Sequence, residues 1–169
     1  FSAHIHLQEI REEVTAVRNE EGLTPIQYFS KKGLFDNPTV AAHCVWIDTD
    51  DTKILAENSV GVAHNPISNM ILASGVCPVP ELRSLGINVG IGIDGAGSND
   101  SQDMLQSIKI TPLLQRVKKM QATALSARDA FMMATIEGAK VLGVESFLGS
   151  IELRKRADFV ILDGDSPTL

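Results

Sequence analysis

Short runs of apolar residues recur along the chain, and four of them end in side chains that can do chemistry. The runs are FSAHIHLQE, TVAAHC, SVGVAH and NVGIGID, and they carry His6, His43, His64 and Asp94. Segments with helical character lie between and after these runs, including 23–32, DTDDTKILAEN with Asp48 as N-cap, and the long stretch 102–119. Near-continuous apolar strands that alternate with helices are typical of a parallel sheet covered by helices. The pattern therefore predicts an α/β fold.

The pattern of apolar and polar residues changes near the end of the chain, from helical periodicity to alternation. Residues 126–143, SARDAFMMATIEGAKVLG, predict one periodic helix with Ser126 as N-cap and Gly143 just past its end. The following stretch, GSIELRKRADFVILDGDSP, alternates between apolar and polar residues and predicts a turn-linked pair of short strands outside the α/β pattern. Inside the NVGIGID run, Gly90 and Gly92 predict crowding against backbone or a ligand.

Two architectures fit this alternation, an open doubly wound sheet and a (β/α) barrel. In both, ligands bind at the carboxyl ends of the strands, which is where the sequence places His6, His43, His64 and Asp94. One strand that ends in histidine is as compatible with a hydrogen-bonded core residue as with a site. Four polar strand ends in succession favour a common site at one rim of the sheet.

A competing pattern is the match of Gly90, Gly92 and Gly95 to G-x-G-x-x-G, which is found in dinucleotide-binding sites. The context argues against such a site, because the glycines lie within and at the end of the strand and Asp94 would face the pyrophosphate. The acid expected about 20 residues further on is also absent, since Gln115 stands there. We therefore predict no dinucleotide cofactor.

Composition limits the partners and the compartment. The chain has 169 residues, 44% hydrophobic and 21% charged, which is enough for one globular domain with a core. Its net charge of −6 offers no basic face to nucleic acid or anionic lipid. We see no apolar run long enough for a membrane helix and no signal-peptide pattern in the first residues. Cys44 and Cys77 are interpreted as free thiols, which predicts a reducing, cytoplasmic location.

The strand-end residues suit metal-assisted hydrolysis. His6 and Asp94 offer imidazole nitrogen and carboxylate oxygen, the donors of catalytic zinc sites. Glu9, just beyond the first strand, is placed to carry a proton to a leaving group or ring nitrogen, and His43 to orient the water that the metal activates. Ser98 and Asn99, in the loop DGAGSND, either bind substrate or turn the chain, and the turn is the simpler interpretation.

A family resemblance is carried by five motifs: HIHLQE, AAHCVWID, VAHNPISNMILASGV, GIGIDGAGSNDSQDM and GSIELRKRADFVILD. In order and spacing they resemble the second half of the amidohydrolase superfamily, in the branch of methylthioadenosine/S-adenosylhomocysteine deaminases and s-triazine hydrolases. The resemblance implies strands 5–8 of a metal-dependent (β/α)₈ TIM barrel over residues 1–147. It also implies that residues 148–169 begin the C-terminal part of a small β-sandwich domain.

The resemblance further implies individual roles. His6 is a metal ligand, Asp94 is the last metal ligand and a base, and Glu9 is a proton shuttle that contacts substrate. His43 is the histidine beside the attacking water. One divalent metal is expected, zinc first, with iron or manganese as alternatives. His64 and Ser98 are further candidates for substrate binding, and a structural hydrogen bond is an equal alternative for His64.

The same resemblance makes His6-x-x-Glu9 the fifth-strand motif, because His43 and Asp94 follow at distances typical of neighbouring barrel strands. His4 is then expected to pack beneath His6 on the same face. The first-strand H-x-H pair of metal ligands would be missing, since a whole barrel takes roughly 250 residues. Half a barrel leaves sheet edges unpaired, so we expect a missing N-terminal half or a homo-oligomer. Alone, the chain is expected to hold metal weakly and to lack activity.

For the parent protein, the resemblance implies hydrolytic deamination of an aminopurine nucleoside such as methylthioadenosine, S-adenosylhomocysteine or adenosine. The alternatives are a triazine chlorohydrolase or aminohydrolase, a guanine or cytosine deaminase, and a non-catalytic barrel fragment that serves as an assembly surface. Ile71, where the family often carries lysine, and Ile67 depart from the family pattern, which indicates either a changed substrate pocket or drift. The expected partner is a small nucleoside or heterocyclic amine, without nucleic acid or membrane.

Overall fold

A parallel sheet of four strands forms the centre of the fold. The computed structural model describes residues 2–162 and 164–165. The strands are β1 (Ala3–Leu7), β2 (Thr39–His43), β3 (Gly61–His64) and β4 (Val89–Ile91). They lie side by side in the order β1-β2-β3-β4, and every neighbouring pair is parallel. The register places His6 opposite Ala42 and Leu7 opposite His43.

The strand order decides between the two predicted architectures. A doubly wound sheet reverses its order at a switch point, whereas a barrel adds each new strand beside the preceding one. The observed order is sequential, which is the order of a barrel section. Because the strands are parallel, their carboxyl ends and the residues just beyond them share one rim.

Within the described residues, eight α-helices and one 3₁₀ turn connect and follow the strands. They are α1 (Arg11–Glu21), α2 (Pro25–Lys31), the 3₁₀ turn Leu34–Asp36, α3 (Thr49–Glu57), α4 (Pro66–Ile71), α5 (Val79–Ser84), α6 (Met104–Lys119), α7 (Ala127–Met133) and α8 (Ile136–Val141). In this described part of the chain, no helix combines the length and apolar character that crossing a membrane requires.

Local sequence fixes several helix starts. Asp48 caps α3 by accepting hydrogen bonds from the N–H groups of Asp50 and Asp51, and the Asp51 carboxylate accepts in return from the Asp48 N–H. Ser126 caps α7 in the same reciprocal way with Asp129. Such a capping box satisfies donors that the first turn of a helix leaves without partners. Both predicted N-caps are confirmed.

The helical predictions need two corrections. The prediction does not name α1, α4 or α5. The single helix predicted over 126–143 is two helices, α7 and α8, because Thr135 has a non-helical backbone with φ −125° and ψ −104°. The break accompanies close packing of α8 on the sheet, where a Cβ on Gly90 would lie 3.0 Å from Gly138 Cα. The predicted crowding at Gly90 is therefore confirmed. Gly143 has the left-handed φ, 68°, expected past a helix end.

The C-terminal tail does not form the predicted strands among the described residues. Residues 148–162 contain bends, a turn and irregular backbone, and Ile151 and Leu153 are 91% and 96% exposed. A strand needs a neighbour to satisfy its backbone groups, and the described part of the chain gives this segment none. Phe1, Asp163 and residues 166–169 of the predicted strands lie outside the described residues. The boundary between segments 1–147 and 148–169 stays a prediction.

The hydrophobic core lies between the sheet and its helices. Each strand contributes to it, with Leu7, Ala41, Val62 and Val89, and the helices contribute Ile26, Leu55, Leu82 and Met133. Cys44 and Cys77 are buried and free, as predicted. Because side chains alternate along a strand, His4 and His6 share the other face of β1, and both are exposed. His4 thus lies on the predicted face without being covered.

Candidate active site

Four predicted residues meet at the carboxyl rim of the sheet. His6 Nε2 lies 3.9 Å from Asp94 Oδ1. His43 Nε2 lies 3.6 Å from Glu9 Oε2 and 3.8 Å from Asp94 Oδ2. The rings of His6 and His43 stack with centroids 5.2 Å apart. These contacts join His6, Glu9, His43 and Asp94 but not His64, the other strand-end residue predicted to meet them, and the individual roles of all five stay predictions.

The backbone is in an uncommon conformation at two of these residues. His43 has φ 75° and Asp94 has φ 60°, in the left-handed region that residues other than glycine seldom adopt. Such a residue costs on the order of 1–3 kcal/mol, and it persists where the surrounding structure enforces it. Backbone strain of this kind concentrates at functional sites, and here it falls on two of the four converging residues.

Buried hydrogen bonds hold the backbone beneath Glu9. Gln8 is fully buried with φ 51°. Its side-chain amide donates to the Trp46 carbonyl at 2.6 Å and to Asp51 Oδ2 at 2.9 Å. The Glu13 carboxylate, in the first turn of α1, accepts hydrogen bonds from the N–H groups of both Gln8 and Glu9. The position of Glu9 is therefore fixed by α1 and by the loop that follows β2.

His43 is completely buried, and its two ring nitrogens have different surroundings. Nδ1 lies 2.8 Å from Asn69 Oδ1. With this carboxamide orientation Nδ1 carries the proton and donates it, so that Nε2 keeps its lone pair. Among the described residues Nε2 has no hydrogen-bond partner. A buried polar atom without a partner costs about 1–3 kcal/mol, and this one lies next to two carboxylates, where a water or a cation would satisfy it.

Asp94 is held as an anion by its neighbours. Burial acts to raise its pKa, but hydrogen bonds from the Ser68 hydroxyl, the Gly95 N–H and the Ser98 hydroxyl outweigh burial, and the pKa of Asp94 lies below its ordinary value. Ser68 and Ser98 donate to Oδ2 at 2.6 and 3.0 Å, and Gly95 donates to Oδ1 at 2.8 Å. The side chain is therefore both oriented and ionised at neutral pH.

The side chain of His64, the other predicted strand-end histidine, is buried without hydrogen bonds among the described residues. It is 0% exposed, and in the described part of the chain neither ring nitrogen has a hydrogen-bond partner. Burial, with contributions from His43 and Lys118, lowers the pKa of His64 to about 3, so the ring is neutral at pH 7. A substrate contact by His64 stays a prediction. The alternative, a structural hydrogen bond, is not observed among the described residues.

In the loop after β4, Ser98 donates a hydrogen bond to Asp94 and Asn99 donates one to the backbone of the loop. Asn99 is fully buried and donates from Nδ2 to the Ile93 carbonyl at 2.7 Å, which agrees with the simpler interpretation that it turns the chain. A substrate contact by Ser98 stays a prediction. Gly92 is also crowded, but by a side chain and not by the predicted backbone or ligand, because a Cβ there would lie 2.2 Å from Asn65 Oδ1.

Three residues of this rim are missing from the predicted set. Ser68 and Asn69 hold Asp94 and His43 from α4, and Ser74 donates to Glu9 Oε1 at 2.9 Å. For the first two a usable signal exists, because Pro66 marks a helix that starts directly after β3 and so places its first turn at the same rim. For Ser74 the sequence offers no comparable signal, since its approach depends on the path of a loop.

Comparison with known sequences identifies the family. A sequence model of the amidohydrolase family matches residues 1–169. The chain belongs to the amidohydrolase family. The family resemblance carried by the five motifs is thereby confirmed.

The amidohydrolase chain has curated relatives of high identity. It is 48% identical over 166 residues to a 5′-deoxyadenosine deaminase of Methanothermobacter thermautotrophicus, covering 98% of the chain and 38% of that protein. It is 46% identical over 166 residues to a 5-methylthioadenosine/S-adenosylhomocysteine deaminase of Desulforudis audaxviator, covering 98% of the chain and 39% of that protein. The chain thus spans less than half the length of these relatives.

A solved amidohydrolase structure confirms the predicted fold class. The crystal structure of an adenosine deaminase from Xanthomonas campestris with bound zinc matches this chain with a TM-score of 0.88 and 35% sequence identity. The match covers 92% of this chain and 35% of that one. Together with the sequential parallel strands, it makes this chain a section of the amidohydrolase (β/α)₈ barrel.

The donor set of the amidohydrolase site fits a divalent cation. One nitrogen or oxygen atom from each of His6, His43 and Asp94 lies within 4.8 Å of the others. Imidazole nitrogen and carboxylate oxygen are the donors that zinc takes in catalytic sites, commonly three from the protein. The unpartnered buried Nε2 of His43 is consistent with this fit. His6 and Asp94, the predicted ligands, both belong to the group.

Proposed function

We propose that the whole protein is a metal-dependent hydrolase that removes the amino group of an adenosine-like nucleoside. The proposal depends on one observation: the carboxylates of Glu9 and Asp94 lie 3.6 and 3.8 Å, respectively, from the buried Nε2 of His43. Hydrolytic deamination needs groups that donate and accept protons around one reacting carbon, and this cluster supplies them. The names of the two curated relatives, both nucleoside deaminases, support the choice of substrate.

His6 and Asp94 would hold the divalent cation, with zinc as the first candidate and iron or manganese as alternatives. When bound, such a cation polarises a water molecule and lowers its pKa to about 7. The imidazole and carboxylate donors support zinc. The zinc in the solved Xanthomonas campestris adenosine deaminase supports the same choice.

The side chains around that position divide the proton transfers. Asp94, whose pKa is lowered, is ionised and accepts a proton from the attacking water. His43, with its Nε2 lone pair, orients the same water by accepting a hydrogen bond. Glu9 delivers a proton to the ring nitrogen beside the reacting carbon. As the bond from carbon to the exocyclic nitrogen breaks, Asp94 gives its proton to that nitrogen and the new hydroxyl gives its proton to Glu9, so that ammonia leaves and the ring keeps a carbonyl oxygen.

The test is ammonia release by the purified whole protein. The substrates are adenosine, 5′-deoxyadenosine, methylthioadenosine and S-adenosylhomocysteine, with guanine, cytosine and a chlorotriazine as rival substrates. For the chlorotriazine, chloride release is measured instead. We expect release from the adenosine group, and about 10²–10⁴-fold less with Glu9→Gln, the usual contribution of a general acid or base. Turnover of only guanine, cytosine or the triazine would reject the proposed substrate class. No turnover of any compound by zinc-loaded protein would reject the enzyme.

The two outer strands of the sheet, β1 and β4, have edges to which further strands could pair. Among the described residues, β1 and β4 each pair with a strand on one side only, and unpaired edges invite further strands. We propose that the rest of the whole protein's barrel, or a second copy, covers these edges. We also propose a cytoplasmic location, supported by the free buried thiols of Cys44 and Cys77.

A further inference from the structure

The two carboxylate oxygens of Glu9 have different surroundings. Oε2 lies 3.6 Å from His43 Nε2, within the cluster described above. Oε1 accepts a hydrogen bond from the Ser74 hydroxyl at 2.9 Å, from a residue 65 positions further along the chain. The Glu9 side chain is 21% exposed, so water competes only partly with this contact. One oxygen is therefore occupied by a fixed donor, and the other is left to the reaction.

The main chain of Ser74 is held by hydrogen bonds at both its N–H group and its carbonyl. It is 3% exposed, and its N–H donates to the Asn69 carbonyl at 2.9 Å. Its carbonyl accepts a hydrogen bond from the Trp46 indole N–H at 2.7 Å. The Trp46 ring is in turn covered by the Arg11 guanidinium, 4.5 Å from the ring centroid. A serine with both main-chain groups engaged presents its hydroxyl in a defined direction.

The residue after Ser74 adds a steric constraint. Gly75 has φ 122°, and a Cβ there would lie 2.8 Å from Val45 Cγ1. The loop after α4 therefore lies directly against the loop after β2, the loop that also holds Gln8 beneath Glu9. The loop of the donor thus packs on the same β2 loop that holds the backbone next to Glu9, which links the position of the carboxylate to that of its donor.

We propose that Ser74 is a positioning residue that turns Glu9 so that Oε2 faces His43 and the reacting ring. This inference rests on the proposed function. A proton is transferred efficiently only when the acid is within hydrogen-bond reach and correctly aligned, and a glutamate without a fixed oxygen samples several rotamers. A hydroxyl that donates to Oε1 occupies that oxygen whether Glu9 carries its proton on Oε2 or has delivered it, and it is therefore able to select one rotamer.

The first test compares turnover of the whole protein with Ser74→Ala, Ser74→Thr and Ser84→Ala. Ser84 is the matched control, because its exposed hydroxyl donates to the Glu81 carbonyl far from Glu9 in the chain. We expect Ser74→Ala to lower kcat about 10- to 100-fold, the loss of one hydrogen bond to a charged group, with KM nearly unchanged. Ser74→Thr keeps the hydroxyl and is expected to recover most of the turnover, and Ser84→Ala to match the wild type.

The second test separates positioning from general damage to the fold. In a Glu9→Gln background, Ser74→Ala is expected to change kcat by less than about twofold, since the effects of residues that act as a unit are not additive.

Trp46→Phe keeps a ring for Arg11 but removes the donor to the Ser74 carbonyl. We expect kcat to fall by about threefold, less than for Ser74→Ala. An equal loss from Ser74→Ala in both backgrounds, or none in either, overturns the inference.

A crystal structure of the Ser74→Ala variant tests the position of Glu9 without any measurement of activity. We expect the Glu9 carboxylate to leave its position or to occupy more than one rotamer. A carboxylate that keeps its place overturns the positioning role. A wild-type protein that releases no ammonia, with Glu9 displaced in the Ser74→Ala crystal, would instead reject the proposed function and leave the positioning contact standing.

Discussion

The ends of β2 and β3 carry the same residue type in two different environments. His43 and His64 each close a strand, both are 0% exposed, and the two strands pair directly. At the end of β2, Asn69 fixes one nitrogen, and two carboxylates lie within 4 Å of the other. At the end of β3, neither His64 nitrogen has a partner among the described residues.

The difference shows that neighbours, and not position in the sheet, give a strand-end histidine its chemistry. A positive charge that develops on His43 is stabilised by Glu9 and Asp94. A charge on His64 would stand in a dry interior without compensation, which is why the pKa of His64 falls to about 3. The first ring is suited to handle protons and the second to stay neutral.

The largest expected effect is a difference in kcat/KM between variants of His43 and of His64. In the whole protein, His43→Leu is expected to lower kcat/KM for a deaminated nucleoside by about 10³-fold, within the range for loss of a group that handles protons. His64→Leu, an apolar replacement of similar size, is expected to change it by less than about tenfold. Steady-state kinetics on metal-loaded protein check both. Equal losses from the two variants would contradict the contrast.

A smaller effect is expected from the partner of His43. Asn69→Ala removes the acceptor at Nδ1, so the ring loses its preferred tautomer and orientation, and a loss of about 10- to 100-fold in kcat/KM is expected. Asn58→Ala is the matched control, because the side chain of that exposed asparagine donates to the Ile54 carbonyl of α3. If Asn69→Ala retains full turnover, the tautomer of His43 is set by something other than α4.

A third change disturbs the end of β3 without touching β2. Gly92→Ala places a Cβ 2.2 Å from the Asn65 side chain, directly after His64. Since Asn65 is buried, the strain is expected to cost about 1–3 kcal/mol in the free energy of unfolding and to leave kcat within about threefold. Urea denaturation measures the first quantity. Gly97→Ala, where a Cβ meets nothing within 4 Å, is the control. A collapse of kcat in Gly92→Ala would show that the two strand ends are coupled.

Sequence alone predicts the features that depend on local pattern and on parallel topology. The four strands stand out as apolar runs, and the caps Asp48 and Ser126 act on their own helices. The convergence of the side chains at the rim is predictable because parallel strands deliver their carboxyl ends to the same edge of the sheet. Helix α1 escapes prediction because its surface is almost wholly polar, with Val14 as its one buried residue.

The remainder depends on contacts between distant parts of the chain. Ser74 reaches Glu9 only because two loops pack against each other, and no spacing in the sequence encodes that packing. The alternation in residues 148–162 predicts strands, but strand formation needs a neighbour that the described residues do not provide. The strand ending in His64 has the same pattern as the one ending in His43, and only the surroundings of the two rings distinguish them.

The smallest expected effect is on stability and pH, and it tests the neutrality of His64. Its pKa is lowered from 6.5 to about 3 in the folded chain, so the unfolded chain binds a proton between these values and the folded chain does not. This contribution to stability is complete above pH 6.5 and is lost as pH falls towards 3. At pH 5 the wild type should have lost about 2 kcal/mol that His64→Leu retains. Urea denaturation of the metal-free whole protein at pH 5 and 7.5 measures this difference. Parallel losses in the two proteins would show that His64 is protonated in the fold, and the contrast with His43 would then disappear.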